Sequence, residues 1–178
     1  MLFRSFILPG PRELRGGAGL ARRAPRTQGW GWFRTRFDVR SMGEVESAAL
    51  VVIDSPYSDN IVYSGDPRCL GRISCRDPRF IAEMSRVARE AGRVLRRGGV
   101  LSWIIADEYR GGVYTPVGFR LLSALEREFE ILDTIALVRH HDRSASPMWE
   151  HRARRFNFFL RGFKFLLIVR KPVGDRGG

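Results

Sequence analysis

The sequence predicts an α/β domain built on a mostly parallel sheet. Segments typical of buried strands, rich in Val, Ile and Leu, alternate with segments of helical periodicity. Their order is strand, helix, strand, helix, strand, long loop, strand. Because no helix is predicted between the last two strands, we expect them to pair antiparallel as an edge hairpin. The 178 residues suffice for one domain with its own core.

The first predicted strand is the continuous apolar run Ala48–Ile53, typical of a strand covered on both faces. The first helix is predicted over 79–97, because apolar residues recur there at helical spacing. Asp77-Pro78 is a helix start signal, and two glycines at 98–99 are a stop signal.

The second half of the domain repeats this pattern. A buried strand is predicted over Val100–Ala106 and a helix over 115–129, opened by Thr115-Pro116. Strands are predicted over Ile131–Val138 and Phe163–Arg170. Between them, 139–162 is expected to be a long loop rich in Arg and aromatic residues.

The charge is strongly positive. The formal net charge is +12, and Lys164 and Lys171 are the only lysines among 31 basic residues. Such an excess favours polyanionic partners through phosphate contacts and counterion release. A merely basic surface is the alternative interpretation.

The cysteines indicate a reduced, intracellular protein, and we expect it in the cytoplasm. Cys69 and Cys75 have neither a zinc-binding spacing nor the number needed for a disulfide framework. His140, His141 and His151 also lack a convincing metal spacing, so no metal is expected. No apolar run approaches the roughly 18 residues of a membrane span.

The chain divides into three parts by composition. Residues 1–44 are rich in Arg, Gly and Pro, and we expect a poorly ordered basic arm. A mitochondrial targeting segment, or the degenerate upstream edge of a longer ancestral gene, are the alternatives. The folded domain is predicted over 45–172 and a Gly-rich tail over 173–178.

The segment Asp54-Ser55-Pro56-Tyr57 follows the first strand directly. Asp107 follows the second strand in the same way. In open α/β sheets the ligand site lies beyond the carboxyl ends of the strands, so both acids are expected at one sheet edge. A turn that merely ends a strand is the alternative interpretation.

The tetrapeptide "DSPY" resembles the (Asp/Asn/Ser)-Pro-Pro-(Tyr/Phe) motif of the S-adenosylmethionine-dependent amino-methyltransferases. These enzymes modify N6 of adenine or N4 of cytosine in DNA. The segments "DSPYSDNIVYSGDPRCLG", "VLRRGGVLSW", "TPVGF" and "HRARRFNFFLRGFKFLLIVRKP" extend the resemblance over about 45–172. It implies a class I, Rossmann-like methyltransferase sheet, S-adenosylmethionine as cofactor and DNA as substrate. Ser55 departs from the motif, which usually has its first proline there.

The resemblance also implies a role for each motif residue. The Asp54 carboxylate and the main-chain carbonyl of Ser55 would hold the two N–H groups of the base amine, so that its lone pair faces the methyl donor. Pro56 would stiffen the loop, which pre-organises these acceptors. Tyr57 would stack on the base once it has flipped out of the duplex. Ser55 retains the carbonyl but loses one ring constraint.

The segment "HRARRFNFFLRG" interleaves Arg with Phe, which is typical of a nucleic-acid surface. An amphipathic hairpin arm with its phenylalanines partly in the core is a compatible alternative. The predicted phosphate contacts are Arg152, Arg154, Arg155 and Arg161.

The cofactor side of the resemblance is incomplete. We find no glycine-rich Asp-Pro-Phe-x-Gly-x-Gly motif after a strand, because no apolar strand precedes "RGGAGLARR". Asp38 resembles the acid of a segment on the adenine side of the cofactor, and Asp107 is the second candidate cofactor ligand. The methyltransferase sheet is therefore expected to be incomplete.

Two functions from different classes follow. The first is a site-specific DNA methyltransferase that acts on adenine N6 or cytosine N4, either short or completed by a second subunit. The second is a truncated, inactive domain or subunit that binds nucleic acid. Methylation of RNA or of a protein glutamine uses a similar motif and is a third possibility, against which the Arg-Phe segment argues. The sequence does not distinguish adenine from cytosine as the target base, and it does not identify the target site.

Overall fold

The computed structural model describes residues 4–9, 45–61, 65–66, 69–138 and 147–174. Five strands form one sheet in the order β1-β2-β3-β7-β6, and two short strands form a separate hairpin. The strands are β1 Arg4–Pro9, β2 Ala48–Asp54, β3 Leu95–Ile105, β4 Glu108–Arg110, β5 Val113–Thr115, β6 Glu130–Val138 and β7 Phe163–Arg170. The helices are α1 Pro78–Val94, α2 Val117–Leu125 and α3 Pro147–Arg155.

The sheet is mixed, and the α/β class is confirmed. Strands β2 and β3 pair in parallel, while β7 pairs antiparallel with both β3 and β6. Strands β2, β3 and β6 therefore run in the same direction, and their carboxyl ends lie at one edge. The predicted antiparallel pairing of the last two strands is confirmed; β6 is the edge strand, and β7 is inserted beside β3.

One face of the sheet carries the core. Alternate residues of β2 and β3 are buried, such as Val51, Ile53, Leu101 and Trp103, and they share one cluster with the buried residues of α1 and α2. The residues between them, such as Val52, are only half-buried. The strand Ala48–Ile53, predicted to be covered on both faces, is thus fully covered on one.

The first helix ends three residues earlier than predicted. Leu95 already has extended backbone angles, and β3 begins there. Two contacts hold this change of direction: the Glu46 N–H donates to the Arg93 carbonyl (3.1 Å), and the Lys171 ammonium donates to the Leu95 carbonyl (2.8 Å). Gly98 lies within β3 at φ +72°, a value that favours glycine.

Three elements were not predicted from the sequence. Strand β1 pairs antiparallel along β2, so the predicted poorly ordered arm contributes residues 4–9 to the sheet. The hairpin β4–β5 turns through Gly111 and Gly112, both at positive φ. Helix α3 lies within the predicted loop 139–162. Residues 1–3 and 10–44 of the arm lie outside the described residues.

Candidate active site

The structure places both strand-end acids at one edge of the sheet. Asp54 is the last residue of β2, and Asp107 follows the end of β3 by two residues. Because these strands are parallel neighbours, with Asp54 opposite Ile104, both carboxylates lie at the carboxyl edge. Strand β7 runs the other way and brings its first residues, including Lys164, to the same edge.

The loop after β2 is tied to three other parts of the fold. The Ser55 hydroxyl accepts from the Trp103 indole N–H (2.9 Å), and the Ser58 hydroxyl accepts from the Cys75 backbone N–H (3.2 Å). Asp59 forms an ion pair with Arg110 at 2.8 Å. Since each contact reaches a different segment, the loop is held in one position relative to the strands.

Ser55 has a structural explanation in this protein. Trp103 is fully buried, and its indole N–H requires an acceptor there. Ser55, itself 3% exposed, supplies that acceptor, which a proline could not. The departure from the double-proline motif therefore accompanies a tryptophan on the neighbouring strand. The sequence does not reveal this hydrogen bond, because its two residues are 48 positions apart.

Asp54 and Tyr57 flank a lysine that sequence reasoning missed. The Lys164 Nζ lies 3.8 Å from Asp54 Oδ1 and 5.4 Å from the centroid of the Tyr57 ring. The Asp54 side chain is 43% exposed, whereas the Lys164 side chain is 26% exposed. The Lys164 ammonium thus lies within ion-pairing distance of a carboxylate and within cation–π distance of an aromatic ring. The signal for Lys164 was that it is one of two lysines in a chain rich in Arg.

The Asp107 carboxylate accepts hydrogen bonds from two groups of the protein. Its Oδ1 accepts from the Gly118 backbone N–H in the first turn of α2 (2.8 Å), and its Oδ2 accepts from the Tyr114 hydroxyl (2.5 Å). Burial, and then the hydrogen bond to Asp107, raise the pKa of Tyr114 to about 12. Both carboxylate oxygens are therefore engaged by groups of this chain.

A buried polar cluster lies next to the loop. The Cys75 thiol donates to Glu108 Oε2 (3.2 Å), and Arg76 Nε lies 3.8 Å from the same oxygen. Burial is the main cause that raises the pKa of the Cys75 thiol, and the Ser58 hydroxyl opposes it. Glu108 is 4% exposed, and its Oε1 has no hydrogen-bond partner among the described residues. The cluster contacts the loop that carries the motif, because the Cys75 backbone N–H donates to the Ser58 hydroxyl.

The arginines of the Arg-Phe segment fall in two places. Arg152, Arg154 and Arg155 are on α3, a helix with no buried residue. Arg161 lies in the connection to β7, with its guanidinium carbon 4.6 Å from the centroid of the Tyr114 ring. The first three are exposed, while Arg161 is half-buried against aromatic rings.

Asp38 and "RGGAGLARR" lie outside the described residues, as do His140 and His141. Asp107 is used for the internal contacts above. Of the two candidate cofactor ligands, Asp107 is thus engaged within the protein and Asp38 is not among the described residues. Among them, no group of three His, Cys, Asp or Glu residues could hold a metal ion, and no helix is long and apolar enough to cross a membrane.

Comparison with solved structures shows a methyltransferase fold. A candidate DNA modification methylase from Thermus thermophilus, TTHA0409, matches with a TM-score of 0.54 at 22% identity. The match covers 79% of this chain and 51% of that one. The same protein complexed with S-adenosyl-L-methionine matches with a TM-score of 0.51 at 23% identity and the same coverage of both chains. No family model and no curated protein matches the chain.

A second methyltransferase has the same fold. The cytosine-N4-specific PvuII DNA methyltransferase matches with a TM-score of 0.52 at 16% identity, over 76% of this chain and 46% of that one. The chain therefore spans about half the length of these structures. At such identities the likeness concerns the fold alone.

Proposed function

We propose that this chain carries the acceptor side of an S-adenosylmethionine-dependent DNA methyltransferase that modifies the exocyclic amine of adenine or cytosine. The observation that carries the proposal is the pair Asp54 and Tyr57, set at the carboxyl edge of a methyltransferase fold on a loop held by Ser55 and Trp103. The fold of TTHA0409, one structure of which contains S-adenosyl-L-methionine, supports the choice of cofactor.

The proposed chemistry is the one that the motif resemblance implies. The lone pair of a base amine is delocalised into the ring, so the amine is a weak nucleophile until its N–H groups are held. The Asp54 carboxylate accepts one N–H and the main-chain carbonyl of Ser55 accepts the other, while Tyr57 stacks on the base. Asp54 is then the nearest acceptor for the proton that the amine must lose once methylated. When bound, the cofactor supplies the methyl group.

The Lys164 contact supports this assignment. An ammonium group already lies 3.8 Å from the Asp54 carboxylate and 5.4 Å from the centroid of the Tyr57 ring. A base amine would need the same two partners, so binding of the target base requires Lys164 to withdraw. Once withdrawn, Lys164 is placed to pair with a phosphate beside the extruded nucleotide.

The donor side must come from elsewhere. We propose that residues outside the described ranges or a second subunit supply it, because the described residues lack a glycine-rich cradle. Strand β1 pairs along the outer edge of β2 from Arg4 to Pro9. A partner that extended the sheet at β2 would therefore have to displace Arg4–Pro9.

The test is incorporation of tritiated methyl groups into duplex DNA by the full chain, alone and supplemented with extract from its source. Asp54→Ala removes an acceptor that orients the amine in the transition state, so incorporation should fall by about a hundredfold or more. The matched control is Asp133→Ala, which removes an exposed aspartate from the edge strand β6 and should leave incorporation unchanged. Full activity of Asp54→Ala would overturn the mechanism.

An inactive nucleic-acid-binding domain is the second candidate function. It is favoured by the lack of a glycine-rich cradle among the described residues, together with the exposed arginines of α3. This function predicts salt-dependent binding of nucleic acid without methyl transfer under either condition of the assay.

A further inference from the structure

An open cleft of about 760 Å³ lies beside the candidate active site, between the β4–β5 hairpin and the segment that runs from α3 to β7. Asp107 lines one end, which places the cleft at the carboxyl edge of the sheet. Most of its wall is aromatic or cationic. We call it the aromatic cleft. The aromatic and cationic residues that line it are Tyr109, Trp149, Arg152, Phe156, Phe158, Phe159 and Arg161.

Three of these residues, together with Tyr114, form a connected layer. The guanidinium carbon of Arg161 lies 5.3 Å from the ring centroid of Tyr109 and 4.6 Å from that of Tyr114. Tyr109 in turn stacks on Phe158, with centroids 5.5 Å apart and planes inclined by 25°. Tyr114 is tied to Asp107 by its hydroxyl. This layer is thus joined to Asp107 through Tyr114, and the Arg161 guanidinium lies against the rings of Tyr109 and Tyr114, where it offers a planar surface for stacking.

The walls leave large aromatic faces open to solvent. Phe159 is 87% exposed and Phe156 is 63% exposed, while Trp149 is 37% exposed. Exposed aromatic side chains grouped around one cleft indicate a binding surface, because a soluble protein seldom presents such a group without a partner.

The charge around the aromatic cleft specifies the partner. Among the described residues, no carboxylate lies within ion-pairing distance of Arg152, Arg154, Arg155 or Arg161. The Arg152 guanidinium carbon lies 5.3 Å from the Trp149 ring centroid, so a stacking surface and a cation are adjacent. Aromatic faces next to guanidinium groups suit a flat base joined to a phosphate.

We infer that the aromatic cleft binds an unpaired nucleotide, separate from the target base at Asp54 and Tyr57. Its open rings offer stacking to a base whose faces are free, which a base inside a duplex does not have. The ligand is therefore a single-stranded or locally unpaired segment of nucleic acid. This inference rests on the proposed function for the class of ligand and adds the form in which the nucleic acid is bound.

The experiment measures fluorescence anisotropy of a labelled single-stranded oligonucleotide and of the matching duplex, with the full chain and no cofactor. The single strand should bind more tightly. Phe159→Ala should weaken single-strand binding by about 5- to 150-fold, which corresponds to the 1–3 kcal/mol of one base stack. The same variant should change duplex binding much less. Because Phe159 is largely exposed, its truncation should leave the fold intact, which thermal unfolding checks.

Two controls separate stacking from other causes. Phe119→Ala truncates another exposed phenylalanine, 58% exposed and outside the aromatic cleft, and should leave binding unchanged. Polyglutamate of equal charge offers anions without bases and should bind far more weakly. If polyglutamate competes as well as the oligonucleotide, the cleft recognises charge alone, as an acidic protein partner would require, and the inference is overturned.

The remaining outcomes distinguish this inference from the proposed function. Equal affinity for single strand and duplex, with no effect of Phe159→Ala, overturns the inference and leaves a DNA methyltransferase possible. If the unaltered chain transfers no methyl group in the tritium assay but still binds the single strand, the proposed catalysis is contradicted and nucleotide binding in the aromatic cleft is supported. Absence of binding to either nucleic acid overturns both.

Discussion

Removal of the Ser55 hydroxyl should destabilise the protein through Trp103. Ser55→Ala leaves the fully buried indole N–H of Trp103 without its acceptor, now 2.9 Å away. A buried donor left unsatisfied costs about 1–3 kcal/mol. For a chain of this size, the melting temperature should fall by about 2–4 °C per kcal/mol. Urea denaturation measures the free energy of unfolding directly.

A double-mutant cycle assigns that cost to the hydrogen bond. In a Trp103→Phe background the donor is gone, so Ser55→Ala should cost little or nothing, and the coupling energy should be about 1 kcal/mol or more. Ser55→Pro, which restores the double proline of the motif, should also be better tolerated in that background. Ser102→Ala, at a half-buried serine on β3, is the control and should change stability by about 0.5 kcal/mol or less. Equal costs of Ser55→Ala in both backgrounds would show that the hydrogen bond from Trp103 does not account for the loss of stability.

Three further predictions concern the surroundings of the site. Lys164→Met should change the free energy of unfolding by about 1 kcal/mol or less, because the partly exposed pair with Asp54 is weak; a larger loss in urea denaturation would make Lys164 a structural residue. The pKa of Tyr114 is raised in the folded state, so its contribution to stability is present below its ordinary value of 10.0 and is lost as the pH rises toward about 12. Urea midpoints across that window should fall less in Tyr114→Phe than in the unaltered protein, and parallel curves would contradict this. Replacement of three arginines of α3 together should reduce the slope of log affinity for DNA against log salt by about 0.9 per lost phosphate contact, and an unchanged slope would move the phosphate contacts elsewhere. These arginines are Arg152, Arg154 and Arg155.

The parts of the fold that the sequence predicts correctly are those with a local signal. Strand Phe163–Arg170 has the predicted bounds, because a mostly apolar segment is preceded by a glycine and followed, after one lysine, by a proline. The helix that starts after Asp77 begins with its proline at the first turn, and the Asp77 side chain accepts from the Arg79 N–H. Residues 95–97 were assigned to that helix because its periodicity continues to the glycines, whereas contacts from Glu46 and Lys171 turn the chain earlier.

Other features depend on partners that are distant in the sequence. Helix α3 buries no residue, so it has no apolar periodicity that could have predicted it. Among the described residues, strand β1 lies at the edge of the sheet and pairs only with β2, about 40 residues later. Likewise, the strand-end positions of Asp54 and Asp107 are local, but the contacts of Asp107 with Tyr114 and Gly118 emerge only from the fold.

The central claim is that Asp54 and Tyr57 present an exocyclic base amine for methylation. The most direct measurement incubates the full chain, with source extract where needed, with duplex DNA and deuterium-labelled S-adenosylmethionine, and then identifies the labelled nucleosides by mass spectrometry. We expect label in N6-methyladenine or N4-methylcytosine, reduced by about a hundredfold or more when Asp54→Ala replaces the unaltered chain. Label in 5-methylcytosine, label in protein alone, or no label that depends on Asp54 would contradict the central claim.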